Sequence, residues 1–596
     1  MDESSAYLLQ LLGRVDEVCG SVKQASDVRT GRTSITWPEL LGVTIAASLL
    51  VALIWIDAHL RGAVGIPRDD DWSYLRTIFA FAETGTFALN GWVHMMFVGQ
   101  AVPGAVLVNL VGPSITALQA ANAVAAVVAL VLLYAVSRQL LSLAPALFLT
   151  VILGVNPVFA HLVVTAMTDL PVLALQAGCL LCGLLVLRRE SPSWPLTVGA
   201  VACGMAAFTI REYGAVVLLA VIAVLLIRYG RHYRDRNFRN YLVGLILLLS
   251  ACALVAAGLW TWRRGLPYDI VNVPIAVDQA LLLLIRAAAV LALMVAPVWF
   301  AVSWSGLRRG FDSVPVAVPL LGALIGSGVV LMIVTTGNQV LGNIIHPFGS
   351  TWTSVGDGIR AVPLVMFRGL QVLSYISLIL LCAVAAAAIV LGISSLRQRA
   401  GTRSVQARQW QIILLVTVTL ALIGSYVVAT AILGAPLIDR YFLIVAPVMG
   451  VVMVAGIGSW QQSTQRRLQS VAVGAAIVGA VIAGAAFVDA SAQVDGARWR
   501  VAQNLVEQGV DPEVIDAGDP WFRYHQQGPG RTTADATTRP WWVAFFPDAR
   551  ACWTIVLTRQ QEPGAWGDER SSTSIRTLLG EGGRLIVVRG PDACAR

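Results

Sequence analysis

Three adjacent carboxylates follow the first long apolar segment of the chain. Asp69, Asp70 and Asp71 stand in the run RDDDWSY at residues 68–74, shortly after an apolar stretch at residues 37–56. Clustered acids repel one another and resist removal from water, so they add no stability at a membrane edge. Their placement predicts chemistry, or at least a bound cation, at this edge.

Further charged residues stand at the ends of later apolar segments, in the pairs Thr168-Asp169, Arg211-Glu212 and Asp439-Arg440. A carboxylate can take the proton of an attacking hydroxyl, and an arginine can hold phosphate oxygens. In glycosyl transfer from a lipid-linked sugar, the departing polyprenyl phosphate is a stable anion and needs no general acid. Acids and arginines gathered at one membrane face would suit that reaction.

The composition is that of a polytopic membrane protein. Hydrophobic residues make up 57% and charged residues 13% of the 596 residues, and the mean hydropathy is +0.73. These values lie outside the range of soluble domains. The net charge of +8 comes mainly from arginines in short loops, where they set membrane topology, so nucleic acid is not an expected partner. The preference for Arg, Ala and Val is typical of a GC-rich, actinobacterial genome.

Hydropathy predicts a mainly α chain with about thirteen transmembrane helices in the lipid bilayer. The predicted spans are 37–56, 115–137, 144–162, 169–187, 195–211, 213–228, 240–261, 280–303, 314–335, 367–394, 411–433, 440–458 and 469–487. The loops that carry arginines then all lie on the same side of the membrane, at 138, 188–189, 228–239, 308–309, 397–408 and 466–467.

By the positive-inside rule this side is cytoplasmic. The start of the chain has no signal-peptide pattern, so the N-terminus is expected to be cytoplasmic and the C-terminus outside the cytoplasmic membrane. Counting the spans from a cytoplasmic N-terminus places the acid cluster and the three later charged pairs at the outer face.

Three regions are predicted. Residues 1–36 form a cytoplasmic N-terminal segment, and residues 37–487 form the transmembrane domain, whose first outer loop at about 58–112 contains interfacial helices. Residues 488–596, where polar residues replace the apolar background, form a small extracytoplasmic α/β domain. A second outer loop at 337–360 is equally compatible with a mobile lid and with a plain connector.

The C-terminal region contains two cysteines, Cys552 and Cys594. An oxidising exterior would allow a disulfide between them, although the sequence does not give their separation. The Cys179/Cys182 pair lies within an apolar span and is expected to pack there as small residues rather than to bind a metal.

The motifs around the charged positions resemble those of GT-C glycosyltransferases of the protein O-mannosyltransferase and lipid A aminoarabinose transferase type, in a bacterial subgroup. The run DDWSY at 70–74 fits the D-[DE]-x-x-Y motif of the family's first outer loop. Further similar segments follow in the same order: NPVF at 156–159, TDLP at 168–171, REYG at 211–214, DRYFL at 439–443, GARW at 496–499, GVDP at 509–512 and IDAG at 515–518. Asp71 departs from the Glu of many relatives, and the expected proline after Arg440-Tyr441 is displaced to Pro447.

The resemblance implies a GT-C fold and an inverting transfer from a polyprenyl-phosphate sugar, with mannose or arabinofuranose as candidate sugars. The acceptor would be the hydroxyl of a glycan, glycolipid or protein of the cell envelope. Implied catalytic residues are Asp70, as general base or as the residue that orients the acceptor, with Asp71, which would bind a metal or hold the loop, and Asp169. Arg211 and Arg440 would contact the donor phosphate. Supporting residues would be Asp69, Tyr74, Glu212 and His346. Asp70 and Asp71 are also the candidate ligands of a divalent cation, Mg or Mn.

Several of these residues have structural alternatives. Asp69 can be a flanking charge that Arg68 neutralises, and Arg211 and Glu212 can form an ion pair with each other. Asp169 can cap a helix N-terminus. His346 can be an ordinary loop residue.

Two other classes of function stay open. A transporter or flippase of a lipid-linked or anionic substrate would also use membrane arginines and acids. Such proteins often carry internal repeats and helices broken at the midplane, and neither is clear in this sequence. A catalytically inactive relative whose outer domain binds cell-wall polysaccharide is the third possibility, which the intact acid cluster disfavours.

Overall fold

The computed structural model describes residues 35–89, 92–93, 95–230, 234–266, 277–335, 361–397, 403–433, 438–463, 465–526, 541–544, 546, 549–558, 569–580 and 582–589. Within these ranges the chain is predominantly helical and carries one small sheet near its C-terminal end. The predicted mainly α membrane architecture with a C-terminal sheet is therefore confirmed. His346 and the predicted outer loop around it lie outside the described residues, as does Cys594.

The helices before residue 230 are α1 (Trp37–Leu60), α2 (Asp71–Thr84), α3 (Val98–Val111), α4 (Ile115–Arg138), α5 (Leu143–Gly154), α6 (Pro157–Val163), α7 (Asp169–Leu187), α8 (Trp194–Ile210) and α9 (Gly214–Tyr229). Those that follow are α10 (Arg236–Arg264), α11 (Val277–Val295), α12 (Val298–Ala301), α13 (Trp304–Asp312), α14 (Ala317–Thr335), α15 (Leu364–Arg397), α16 (Arg403–Leu433), a 3-10 turn at Asp439–Leu443, and α17 (Val445–Ile457). The long helix α18 (Arg466–Glu507) leads into the C-terminal region.

Among the described residues, nine helices are long and apolar enough to cross a membrane, or ten when the bent pair of α5 and α6 counts as one span. Four shorter apolar helices accompany them. Each of the thirteen predicted spans coincides with one of these helices or with the bent pair. The remaining short helix, α3, lies with α2 in the predicted first outer loop.

The span predicted at 144–162 is broken rather than continuous. The axes of α5 and α6 differ by 63°. Pro157 begins α6, where it has no N–H to donate, and the Asn156 side chain accepts a hydrogen bond from the Val158 N–H at 2.9 Å. This proline start and side-chain cap end one helix and begin another in a new direction. The bend carries His161 towards the acid cluster.

The C-terminal region is built around the continuation of α18. This helix has 42 residues and, at about 1.5 Å per residue, is roughly twice as long as a bilayer core is thick. The predicted boundary at residue 487 falls inside it, so one rigid helix joins the membrane region to the C-terminal region.

A four-stranded sheet packs against the end of α18. Its strands are β1 (Ile515–Asp516), β2 (Trp553–Thr558), β3 (Glu569–Ile575) and β4 (Gly583–Arg589), in the order β1-β2-β4-β3. β1 pairs with β2 in parallel, and the other neighbours are antiparallel. This sheet confirms the strand content predicted for the C-terminal region. Two short helices, α19 (Asp519–His525) and α20 (Trp541–Ala544), complete the described region. Cys552, just before β2, is disulfide-bonded.

Helix α18 contacts the end of α1 through a glycine. A Cβ atom added at Gly496 would overlap the Arg61 carbonyl oxygen and approach Gly62 to 2.9 Å. Arg61 also forms an ion pair with Asp489 of α18 at 2.8 Å. The two helices can therefore approach this closely only because residue 496 has no side chain.

We expect Gly496→Ala to lower the free energy of unfolding by about 1–3 kcal/mol, because the added methyl group has no space. Thermal unfolding of the protein in nanodiscs measures the change. Gly479→Ala in the same helix is the matched control, since a Cβ there meets nothing within 4 Å. The control should be neutral or slightly stabilising, and an equal loss in both variants would contradict the close approach.

Candidate active site

The acid cluster forms a tight turn at the start of α2. Asp69 has a left-handed backbone with φ of 47°, and Asp70 is the residue that precedes the helix. The Asp70 carbonyl accepts hydrogen bonds from the N–H and the hydroxyl of Ser73, at 3.1 and 2.7 Å. Because the turn is this tight, the three consecutive carboxylates point in different directions and have different partners.

Asp71 is fully buried and holds the turn to a second chain segment. Its Oδ1 accepts from the Arg68 N–H at 2.5 Å, and its Oδ2 accepts from the Ala166 N–H at 3.1 Å. Burial raises the pKa of Asp71 well above its usual value, and the two N–H groups oppose that rise. This carboxyl therefore fastens the first outer loop to the segment between α6 and α7.

Asp69 belongs to a separate network that reaches α18. Its Oδ2 lies 2.5 Å from His161 Nε2, and His161 Nδ1 lies 3.0 Å from the Ser491 hydroxyl. Burial by itself would raise the pKa of Asp69, but the imidazole and the nearby arginines lower it to about 2. Asp69 is thus a charged structural partner of His161 rather than a flanking charge.

Arg68 completes the junction with α18. Its Nε donates to Asp495 at 2.8 Å, and its Nη2 donates to the Ser491 hydroxyl at 2.6 Å. The side chain is fully buried. The Arg68 side chain therefore binds the C-terminal half of α18, while its charge also stabilises the adjacent carboxylates.

Asp70 faces the centre of the site. Its Oδ1 accepts from the Trp92 indole N–H at 2.9 Å, and its Oδ2 accepts from Arg440 Nη2 at 2.7 Å. Arg440 comes from the 3-10 turn that precedes α17 and is itself buried. One carboxylate oxygen is thus held by a neutral donor and the other by a cation.

Asp169 and Arg211 extend this contact into a row of alternating charges. Asp169 Oδ1 lies 3.9 Å from Arg440 Nε, and Asp169 Oδ2 accepts from Arg211 Nη2 at 3.2 Å. Arg211 also donates to the Thr168 hydroxyl. Asp70, Arg440, Asp169 and Arg211 are therefore brought together, as the shared membrane face predicted.

Arg440 retains hydrogen-bonding capacity within this row. Its Nε and Nη1 are buried and have no hydrogen-bond acceptor in the part of the chain that the structure describes. The 3.9 Å separation from Asp169 is too long for a hydrogen bond. Buried guanidinium N–H groups without acceptors are costly, so they mark a place where an anion can bind.

Aromatic rings pack around the two arginines. The Tyr213 and Tyr441 ring centroids lie 5.8 and 5.6 Å from the Arg211 guanidinium carbon. Tyr74 is buried against Phe97, with ring centroids 5.0 Å apart, and burial raises the pKa of its hydroxyl. These contacts hold the guanidinium planes in a largely water-free setting.

The structure adopts neither the ion pair between Arg211 and Glu212 nor the helix cap at Asp169 that the sequence allows. Arg211 pairs with Asp169 and Thr168, whereas Glu212 lies near the Met96 backbone and Arg263, where burial raises its pKa. Thr168 occupies the position before α7, and Asp169 is the first residue of that helix.

Sequence reasoning did not identify Trp92, His161, Ser491 or Arg523 as site residues. His161 stands in an apolar run, and a histidine in such a run is a weak sign of a functional residue. The other three carry no motif, and only contacts between distant segments reveal them.

The described residues do not suit a metal ion bound by the acid cluster. Both Asp71 oxygens accept backbone N–H groups, and both Asp70 oxygens accept side-chain donors. No group of three or more His, Cys, Asp or Glu side chains able to hold a metal occurs in the described ranges. A cation shared by Asp70 and Asp71 would have to bind oxygens that already accept hydrogen bonds.

The match to a family model lies in the first half of the chain. Residues 104–257 match the model described as dolichyl-phosphate-mannose-protein mannosyltransferase, and this segment contains Asp169 and Arg211. The match confirms the resemblance to GT-C membrane glycosyltransferases. No curated protein matches the chain.

Among solved structures, the chain is similar to ArnT from Cupriavidus metallidurans. The crystal structure in the apo state shares 14% identity over 91% of this chain and 98% of that chain, with a TM-score of 0.36. The crystal structure bound to undecaprenyl phosphate shares 14% identity over 91% and 99% of the two chains, with a TM-score of 0.35.

The Arg68 contacts lead to a prediction about stability. Arg68→Lys keeps the charge but cannot donate to Asp495 and Ser491 from one planar group, so the free energy of unfolding should fall by about 1–3 kcal/mol. Thermal unfolding in nanodiscs measures this loss. Arg308→Lys alters an exposed ion pair with Asp312 and should change stability by less than about 0.5 kcal/mol. Equal behaviour of the two variants would contradict the role of Arg68.

Proposed function

We propose that this chain, which resembles GT-C membrane glycosyltransferases, transfers a sugar from a polyprenyl phosphate to an acceptor hydroxyl with inversion at the anomeric carbon. The observation that supports this is the contact between Asp70 and Arg440. One guanidinium holds the proposed base through Nη2 and has two further buried N–H groups for an anion. A base and a phosphate site are thus adjacent but use different nitrogen atoms of the same guanidinium group.

Asp70 acts as the general base. The acceptor oxygen forms a bond to the anomeric carbon, the bond from that carbon to the phosphate oxygen breaks, and its electron pair leaves with the polyprenyl phosphate. The acceptor proton moves to Asp70. Because the leaving phosphate is already a weak base, no side chain has to protonate it.

Arg440 and Arg211 neutralise the charge that grows on the leaving phosphate. Arg440 provides a buried N–H group, from Nη1 or Nε, and Asp169 lies between the two guanidinium groups and fixes their spacing. Preorganised donors in a water-excluded site stabilise developing charge more strongly than mobile ones do. The two arginines therefore take the role that a metal ion would have elsewhere.

The contacts of the acid cluster support a reaction without a divalent cation. Asp70 and Asp71 have no carboxylate oxygen left without a donor. We therefore assign Asp71 to holding the outer loop and Asp70 to catalysis, and we assign no metal.

An apolar groove supports a lipid-linked donor. It is open to the surface and is lined by Leu149, Ile152, Leu153, Asn156, Met294, Val298, Leu443, Ala446 and Pro447. Leu443 belongs to the same 3-10 turn as Arg440. The start of a polyprenyl chain can lie in this groove while its phosphate contacts Arg440.

We place the reaction at the outer face of the cytoplasmic membrane, with a cell-envelope glycan, glycolipid or protein as acceptor. The arginine-bearing loops support a cytoplasmic N-terminus by the positive-inside rule. The disulfide at Cys552 supports an oxidising compartment for the C-terminal region.

We expect Asp70→Asn to lower kcat about 10²- to 10⁴-fold while polyprenyl-phosphate binding is kept, because the variant loses the base but not the Arg440 donors. Sugar transfer by the purified protein in nanodiscs, from a panel of radiolabelled polyprenyl-phosphate sugars, measures the effect. Asp312→Asn, at an exposed position of α13, is the matched control and should keep full activity.

Full turnover by Asp70→Asn would move the base to another residue. Absence of transfer by the wild type, together with movement of a labelled lipid-linked sugar across vesicles, would instead favour the transporter.

We also expect the transfer reaction to proceed without a divalent cation. Turnover should change less than about twofold after treatment with EDTA, since arginines compensate the phosphate charge. Arg440→Lys should raise the donor KM, because an ammonium group cannot bind Asp70 and phosphate from two edges of one plane. Loss of turnover in EDTA that Mg or Mn restores would contradict this assignment.

A further inference from the structure

The C-terminal region contacts the start of the outer loop directly. The Arg76 side chain, on α2, donates from Nη1 to the carbonyl oxygens of Arg523 and Gln526, at 3.2 and 2.6 Å. These carbonyls belong to the last turn of α19 and the residue that follows it. The position of α19 relative to α2 is therefore fixed by hydrogen bonds, and with it the position of the Arg523 side chain.

Arg523 lies against the ring that contacts the proposed base. Its side chain is fully buried, its Nε lies 2.5 Å from Asp519 Oδ1, and its guanidinium carbon lies 4.0 Å from the Trp92 ring centroid. The Trp72 ring centroid is 5.4 Å away. A desolvated guanidinium over an indole face is a strong cation–π contact, and its planar shape fixes the tilt of the ring.

Trp92 passes this constraint to Asp70. Its Nε1–H donates to Asp70 Oδ1, while Arg440 holds Asp70 Oδ2. Carboxylates and guanidinium groups pair most strongly when both oxygens face both donors. The Trp92 hydrogen bond prevents this by keeping one carboxylate oxygen away from Arg440.

We propose that Arg523 is a positioning residue of the transferase: by fixing Trp92, it keeps Asp70 singly bonded to Arg440 and leaves the other Arg440 donors for phosphate. This inference rests on the proposed function. When Trp92 is not held, Asp70 rotates onto Arg440, forms a two-bond ion pair and competes with the phosphate. The C-terminal region thus contributes to the active site through a residue that need not touch the substrate.

Binding of undecaprenyl phosphate to the full-length protein in nanodiscs tests the proposal. Trp92→Phe keeps a ring beneath Arg523 and removes the N–H group. Arg523→Lys keeps a charge beside Asp519 and removes the planar stack. Each should weaken binding roughly tenfold, the effect of one hydrogen bond to a charged group, and the double variant should be no weaker than Trp92→Phe alone.

The deciding comparison repeats both substitutions with Asp70→Asn present. A neutral amide cannot compete for Arg440 as an ion-pair partner, so Trp92→Phe and Arg523→Lys should then change binding less than twofold. A purely structural role would weaken binding equally with and without Asp70→Asn. That result, or unchanged binding in Arg523→Lys, would overturn the proposal.

Arg589→Lys is the matched control, because Arg589 lies 5.6 Å from the Trp553 ring centroid in the same region and away from the site. It should leave binding unchanged. Melting temperatures identify variants that fail to fold. A wild type that neither binds undecaprenyl phosphate nor transfers sugar would overturn the proposed function itself, whereas a wild type that does both with Arg523→Lys unaffected would overturn only the role of Arg523.

Discussion

The pairing of buried charges around Arg440 is the constraint on which the rest of this structure depends. Asp70, Arg440, Asp169 and Arg211 follow one another with alternating charge. Asp70 is partly buried and the other three are buried, and an unpaired buried charge costs several kcal/mol. Asp70 and Arg440 are separated by 370 residues. The helices that carry these residues must therefore pack in one arrangement, since any other would leave charges unpaired.

The elements around the row can be understood from this requirement. The break between α5 and α6 moves His161 next to Asp69, and the glycine at position 496 lets α18 contact the end of α1. Both features fix the short turn that presents Asp70. Rigid elements position a site more precisely than loops do, which explains why contacts from several chain segments surround the three consecutive acids.

The charge row also explains how one site can both activate a nucleophile and accept a leaving anion. Full mutual pairing of the four charges would make the site stable but inert, because no donor would remain for phosphate. Arg440 avoids this by holding Asp70 with a single nitrogen. The other partner of the Asp70 carboxylate, Trp92, lies beneath a cation from the C-terminal region. In our proposal, a residue outside the membrane helices therefore keeps the four charges from pairing fully.

The sequence by itself determined the membrane class, the approximate limits of thirteen apolar spans and the four charged residues of the central row. These are local properties: a span needs only apolar length, and a charge at its end is conspicuous against an apolar background. The continuity of α18 and the choice of Asp169 rather than Glu212 as the partner of Arg211 were decided by the tertiary structure. So were the roles of Trp92, His161, Ser491 and Arg523. Hydrogen bonds and ring contacts between residues tens to hundreds of positions apart depend on how the helices pack, and no local pattern encodes that packing.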